Sequence, residues 1–514
     1  MNKCIKTGES PEVWKEAIIT PIFKGGNKEL SANYRPVSLT SQLAKLLERI
    51  IRWYLVKYLE INNAFPDSQH GFRECRSTVS QLLEHYEDIV DALEKNSNID
   101  IVMLDYSKAF DKINISILLK KLKILGVGGK IAKWIGNFLI NRKQKVVVNK
   151  QSSEWSEVKS GVPQGTILAA LFFLIYIADI GDNVIHSTIA SYADDSKARK
   201  RIANQSDGEK LQTDINSVFK WTDTNLMEFN LTKFEMLRIG KRENLKNEIK
   251  YCTPDGTVIP ESESVKDLGV IFNKEGNFDD HMKIKIAKCN KMCGYILRTF
   301  MTREQEPMMC LFKSLVTPIM DYCCIVWNPH KRKDIQAIER IQRNFTKRIS
   351  HLSELNYFER MKVLNIYSME RRRERYELLY IFKILKNIVP NVGINSKYSP
   401  RRGRVLVPPP VHKNSTQAAN TMRRNSFRAK AAFLFNCLPA RIRNIPLDTS
   451  MASIKRTVDN FLTTVTDEPV LEGYARSTDA ASNSLVHQMV RHIELDHCHT
   501  IEKHDAAIDA VRTQ

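Results

Sequence analysis

Apolar positions along this 514-residue chain fall into two periods. Leu43, Leu46, Leu47, Ile50 and Ile51 recur at spacings of three and four, which predicts a helix with one apolar face. Ile335, Ile338, Ile341 and Phe345 repeat the pattern over residues 334–348, and residues 285–298 read as a basic helix. Ile101-Val102-Met103-Leu104 is instead a continuous apolar run, the pattern of a strand covered on both faces. Residues 167–178 form the longest apolar run. It ends at Asp179, too short to cross a bilayer, and reads as a buried helix. Tyr192-Ala193-Asp194-Asp195 has the composition of a tight hairpin turn. Pro408-Pro409-Pro410 and the Ser/Thr/Asn-rich text of residues 414–420 predict an exposed linker.

Acidic residues stand at the ends of two of these elements. Asp105 closes the apolar strand, and Asp194 and Asp195 occupy the hairpin. If the two elements pair, three carboxylates converge at one strand tip. Such a cluster is costly without cations, and hard oxygen donors suit Mg²⁺, which takes one or two carboxylates plus substrate phosphates. Two-metal phosphoryl transfer is the chemistry this arrangement serves. The competing readings are a solvated turn for the acidic pair and a helix cap for Asp105.

A net charge of +20 and a pI near 9.4 favour a polyanionic partner over an acidic one. Lys331-Arg332-Lys333, Arg371-Arg372-Arg373 with Arg375, and Arg401-Arg402 with Arg404 cluster late in the chain, where a nucleic-acid duplex would lie. The ten cysteines form no paired C-x-x-C knuckles, so reduced thiols are expected rather than a disulfide framework. Cys289 and Cys293 lie one helical turn apart without a second pair, and His497-Cys498-His499 is poorly spaced for zinc. The first residues lack an apolar signal core, so neither secretion nor a membrane span is expected. Beyond Thr466 nine acidic residues face four basic ones, which reads as an appended tail.

Tyr106-Ser107-Lys108-Ala109-Phe110-Asp111 follows the first acidic strand, and Ser160-Gly161-Val162-Pro163-Gln164-Gly165 lies before the hairpin. In this order the motifs resemble the palm of reverse transcriptases of non-LTR (LINE-type) retrotransposons of the jockey and chicken-repeat kind. Pro21-Ile22-Phe23-Lys24, Asn33-Tyr34-Arg35-Pro36 and Gln69-His70-Gly71-Phe72-Arg73 resemble the fingers motifs of that family. Asn230-Leu231-Thr232-Lys233, Lys266-Asp267-Leu268-Gly269 and Asp321-Tyr322-Cys323-Cys324 resemble its later signatures. The likeness runs over residues 12–465. It implies an α+β right-hand polymerase with fingers (1–98), palm (99–275), helical thumb (276–350) and a helical post-thumb region (351–465), followed by an acidic tail (466–514).

The resemblance also implies an RNA-directed DNA polymerase that extends a DNA primer on an RNA template and consumes dNTPs. Asp105, Asp194 and Asp195, with the Tyr106 carbonyl, would hold two Mg²⁺ ions, for which Mn²⁺ can substitute. Lys233 would protonate the departing pyrophosphate, and Lys24 and Arg35 would meet the triphosphate. Phe110 would block a ribose 2′-hydroxyl, Gln164 would lie near the nucleotide sugar, and Gly161 and Gly165 would admit nucleic acid close to the backbone. Arg73 and Arg76 would touch the template; Asp111 reads as structural.

Two departures matter. The family continues Pro-Gln-Gly into a Gly-Pro pair, whereas this chain has Ala169-Ala170, which is expected to extend the following helix by a turn. The family also carries an endonuclease ahead of the polymerase, and its lack here suggests a truncated copy that does not transpose alone. An inactive relic that binds RNA, or an RNA-dependent RNA polymerase, are the alternatives. The chemistry and the basic clusters suggest an intracellular location, nuclear or cytoplasmic, as a ribonucleoprotein. Oligomeric state is not legible.

Overall fold

The computed structural model describes residues 1–240, 249–400, 403–413, 415–471 and 482–489. The chain forms two compact units: residues 1–77 with 98–262, and residues 78–97 with 263–514. These divisions are coarser than the expected subdomains and cut elsewhere, since residues 78–97 leave the first unit for the second.

The first unit holds two sheets. One carries β1 (Glu16–Phe23), β2 (Tyr34–Leu39), β4 (Lys143–Val148), β5 (Gln151–Ser152) and β6 (Ser156–Glu157). Its order is β2-β1-β4-β5, with β6 also paired to β4. The other has the order β7-β8-β3-β9, built from β3 (Asn98–Leu104), β7 (Thr188–Tyr192), β8 (Asp195–Ile202) and β9 (Glu235–Ile239), all antiparallel. The apolar run 101–104 is the centre of this sheet, as its two-sided burial requires. Asp100 lies fully buried within β3. It accepts from Arg238 on β9 at 2.9 and 2.7 Å and from the Tyr251 hydroxyl at 2.7 Å, so the charge is paired rather than stranded.

The helix Ala169–Ile177 is apolar all round and buried at every position but the half-buried Ala170, as its composition predicts. It does not extend by a turn towards Gln164. The Ile167 and Leu168 N–H groups are taken by the Glu48 carboxylate at 2.8 and 3.1 Å, outside the helical ladder. Glu48 sits on the buried face of the helix Gln42–Ile61, beside Leu47, Ile51, Leu55 and Leu59. Leu43, Leu46 and Ile50, expected on the same face, are exposed, because the apolar stripe is wider than the face that packs.

In the second unit the helices Asp279–Thr299 and Arg332–Thr346 occupy the predicted places, the latter burying Ile338, Ile341 and Phe345. Cys289 and Cys293 are buried helix-packing thiols, and burial pushes both above the usual range, to about 12 and about 11. The arginine run 371–375 is not a nucleic-acid face. Arg371 and Arg373 are buried, Arg372 is bound in two places to Asp321, and Arg375 pairs with Asp459. The predicted linker ends early, because Thr416 caps the helix Gln417–Asn425 by accepting from the Ala419 N–H. Arg401, Arg402, Asn414 and the His497-Cys498-His499 segment lie outside the described residues. Part of the acidic tail is integral. Asp467 accepts from the Ser368 hydroxyl at 2.6 Å, and Leu485 is fully buried with its N–H on Glu374. Among the described residues, no helix is long and apolar enough to cross a membrane.

Candidate active site

Antiparallel pairing places the acidic residues at one end of the β7-β8-β3-β9 sheet. Leu104 pairs with Ser196, so Asp105 emerges beside the hairpin in which Tyr192 pairs with Asp195. Ala193 and Asp194 form the two-residue loop, and Ala193 has φ +57°. Backbone bonds from Asn230 N–H to the Asp105 carbonyl (2.7 Å) and from Ser107 N–H to the Glu228 carbonyl (2.8 Å) fix the strand end. These two bonds bracket the Tyr106–Phe229 pair and turn the Tyr106 carbonyl away from that segment.

Lys233 donates to Asp105 Oδ2 at 2.9 Å. Loss of water, then the neighbouring charge of Asp105, raises the Asp194 carboxyl above the ordinary range; a bond to its own backbone N–H, Arg35 and Lys233 pull it down. Asp105, Asp194, Arg35 and Lys233 therefore share one electrostatic site. Asp195, also exposed, opens β8 opposite Tyr192. The expected three-way convergence is looser than the sequence suggests. Among the described residues, no three His, Cys, Asp or Glu side chains gather closely enough to hold a metal by themselves.

Around this cluster the Pro-Gln-Gly segment is strapped to the turn after Asp105. Val162 N–H donates to the Phe110 carbonyl and Gly161 N–H to Ile113, both at 2.9 Å. Gln164 Nε2 donates to Asp111 Oδ1 at 2.9 Å, while its carbonyl accepts from Ser38 N–H at 2.7 Å. Asp111, read as structural, is thus the anchor of Gln164. Gly161 and Gly165, expected to face nucleic acid, are pressed against protein instead. A Cβ would stand 2.7 Å from Asp111 Cα and 2.6 Å from the Ser38 carbonyl, respectively, and both residues have positive φ. Phe110 is half-buried, with its ring stacked on Phe173 at 4.8 Å.

The remaining candidates divide. Arg35 lies exposed on β2 and acts on Asp194. Lys24 is exposed where β1 turns towards β2, its N–H bonded to the Asn33 carbonyl, and Lys28 of the same loop lies over the Phe23 ring. Arg73 and Arg76, expected on the template, are tied down locally. Arg73 makes a two-pronged contact with Glu60 and bonds the Pro66 carbonyl, and Arg76 binds Asp67. Two polar side chains touch the site in ways the sequence reading did not assign: Glu48, and Gln69, read only as the start of a fingers motif, whose Oε1 accepts from Ala193 N–H at 3.1 Å. A lone carboxylate on an otherwise apolar helix face was the one sequence signal for Glu48. Nothing in the sequence alone pointed to the Gln69 contact.

An antiparallel sheet whose central strand and neighbouring hairpin bring acidic residues to one end, covered by helices and flanked by a basic β-hairpin, is the palm of a polymerase. Residues 23–272 match the family described as reverse transcriptase (RNA-dependent DNA polymerase), and this segment is a reverse transcriptase domain. The chain is 26% identical to the probable RNA-directed DNA polymerase from transposon BS of Drosophila melanogaster, over 74% of this chain and 43% of that protein. It is 27% identical to the RNA-directed DNA polymerase from mobile element jockey of Drosophila funebris, over 68% of this chain and 39% of that protein. The chain thus spans about two-fifths of the length of these relatives. Among solved structures, apo telomerase from Candida tropicalis aligns at 12% identity over 74% of this chain and 67% of that one, with a TM-score of 0.41.

Proposed function

We propose that the chain is an RNA-directed DNA polymerase that extends a DNA primer on an RNA template. The observation that carries this reading is the charge arrangement at the sheet end, where Asp105 and Asp194 repel one another and are relieved by Lys233 and Arg35. The donor set fits two Mg²⁺ ions, or Mn²⁺ in their place. Asp105, Asp194 and Asp195 supply hard oxygens, the Tyr106 carbonyl is turned from its neighbouring segment, and a cationic ammonium already occupies Asp105. The loose spacing suits Mg²⁺ in particular, which completes its shell with water and substrate phosphates. Bound there, the ions would supply an activated primer 3′-hydroxyl and charge relief for pyrophosphate.

The chain's own residues divide the remaining work. Arg35 and Lys24 would draw in the dNTP triphosphate, and Lys233 would deliver a proton to the departing pyrophosphate. Phe110, braced by Phe173, would exclude a ribose 2′-hydroxyl by clash. Gln164, held by Asp111 and Ser38, would meet the sugar edge. The relatives' names support RNA as template, and a ribonucleoprotein inside the cell follows as part of the proposal. The relic reading is not favoured: the relatives are named as RNA-directed DNA polymerases, the acidic residues are all present in this chain, and Ala169-Ala170 leaves the helix start at residue 169, next to the Leu168 N–H held by Glu48.

The test is extension of a DNA primer on poly-A RNA with dTTP and Mg²⁺, beside an Asp194→Asn control. Incorporation that the control abolishes is expected. RNA binding without incorporation would overturn the reading, and preferential use of ribonucleotides would point to an RNA polymerase.

A further inference from the structure

The Ala193-Asp194 loop takes support from outside its own hairpin. Ala193 stands at φ +57°, where an L-side chain crowds its own backbone and where glycine or asparagine is the usual occupant of a hairpin. The support comes from residues 68–71. Gln69, 3% exposed, accepts at Oε1 from Ala193 N–H (3.1 Å) and from Gly71 N–H (2.8 Å). His70 N–H donates to the Ser191 carbonyl at 2.9 Å, and Ser191 N–H to the Ser68 carbonyl at 3.0 Å, so the segment runs as a short parallel bridge along the hairpin. Gly71 lies so close that an added Cβ would stand 2.2 Å from Ala193 N.

We propose that Gln69 is a positioning residue for Asp194: its amide oxygen pins the left-handed Ala193 and thereby sets where the adjacent carboxylate points. The proposal rests on the polymerase reading and adds to it a support outside the acidic motifs. Glutamine suits the task because it offers a neutral acceptor. A carboxylate at this place would bond the same N–H groups but add a negative charge beside Asp105 and Asp194. Removing the acceptor frees the loop and misplaces a metal-facing oxygen, an error that costs rate far more than substrate binding.

The test compares Gln69→Met, which keeps length but accepts nothing, with Gln69→Glu and with Gly71→Ala, which pushes the same loop while Gln69 remains. For Gln69→Met and Gly71→Ala, kcat is expected to fall about ten-fold to 10²-fold. KM for dTTP should stay within about two-fold, and the Mg²⁺ concentration for half-maximal rate should rise. Gln69→Glu should recover much of kcat at high Mg²⁺. For Gln69→Met, hydrogen exchange should accelerate in the peptides containing Ala193 and Gly71, whose N–H groups lose their acceptor, and not elsewhere. An unchanged kcat in Gln69→Met overturns the proposal. So does a loss of rate accompanied by faster exchange throughout the unit and a matching fall in Tm, which would mark an ordinary stability contact. If the wild-type protein incorporates nothing, the polymerase reading falls, and exchange at Ala193 still decides whether Gln69 holds the loop.

Discussion

Asp194 is held in a form it would rather not keep. Loss of water and the charge of Asp105 raise its pKa in the folded protein, so its ionised form at neutral pH works against stability. The sign is that of a raised carboxylate: the folded state is favoured while the group is protonated, and that advantage is lost as pH rises through the folded pKa. Asp194→Asn is therefore expected to abolish incorporation and yet raise Tm at pH 7, with the gain shrinking as pH falls through the raised folded pKa and gone below the ordinary carboxylate value. Thermal melts across pH would show it. Arg35 acts in the opposite direction. Arg35→Ala should raise the Asp194 pKa further and move the acid limb of the rate profile to higher pH, which a pH series of primer extension would record. Asp105, Asp194 and Asp195 were legible in the sequence because acids at strand tips are conspicuous against apolar runs. Gln69 was not, because its role depends on the φ of a residue 124 positions away.

At the scale of elements, period and composition located the central strand and the buried helix Ala169–Ile177. They did not predict which side of the helix Gln42–Ile61 would pack. Leu43, Leu46 and Ile50 share spacing with Leu47 and Ile51, and a stripe that wide leaves the choice to neighbours distant in sequence. The deciding neighbour is the 167–168 backbone, whose two N–H groups find their acceptor in Glu48. Burial raises the Glu48 carboxyl above the usual range, while those bonds and Arg142 hold it down. Glu48→Ala should leave both N–H groups unsatisfied and cost about 1–3 kcal/mol, measured by urea unfolding, with Glu48→Gln losing less.

For the whole molecule, a charge of +20 is expected to make binding of the proposed RNA template steeply salt-dependent. The contribution of each basic cluster follows from what it already touches. Arg372 is engaged with Asp321 and Tyr376, so Arg372→Gln should lower stability while leaving the slope of binding against salt unchanged. Filter binding at several salt concentrations would separate the two effects, and a reduced slope would return this arginine to the nucleic-acid surface. The sequence showed the number of charges but not their partners, since Asp321 and Asp459 lie far from the run they neutralise.

The excursion of residues 78–97 out of the first unit also carries a timetable. The helix Thr78–Glu94 buries Glu87 and Glu94 against Arg423, and the pairing of Glu87 with Arg423 spans 336 residues of chain. A ribosome adding about 5–20 residues per second delivers that arginine roughly 17–70 seconds after the helix is made. During this interval two acids meant for the interior await their cation. The nascent protein is therefore most exposed to chaperones and proteases before residue 423 emerges, and the yield of folded protein should depend on how quickly translation reaches it.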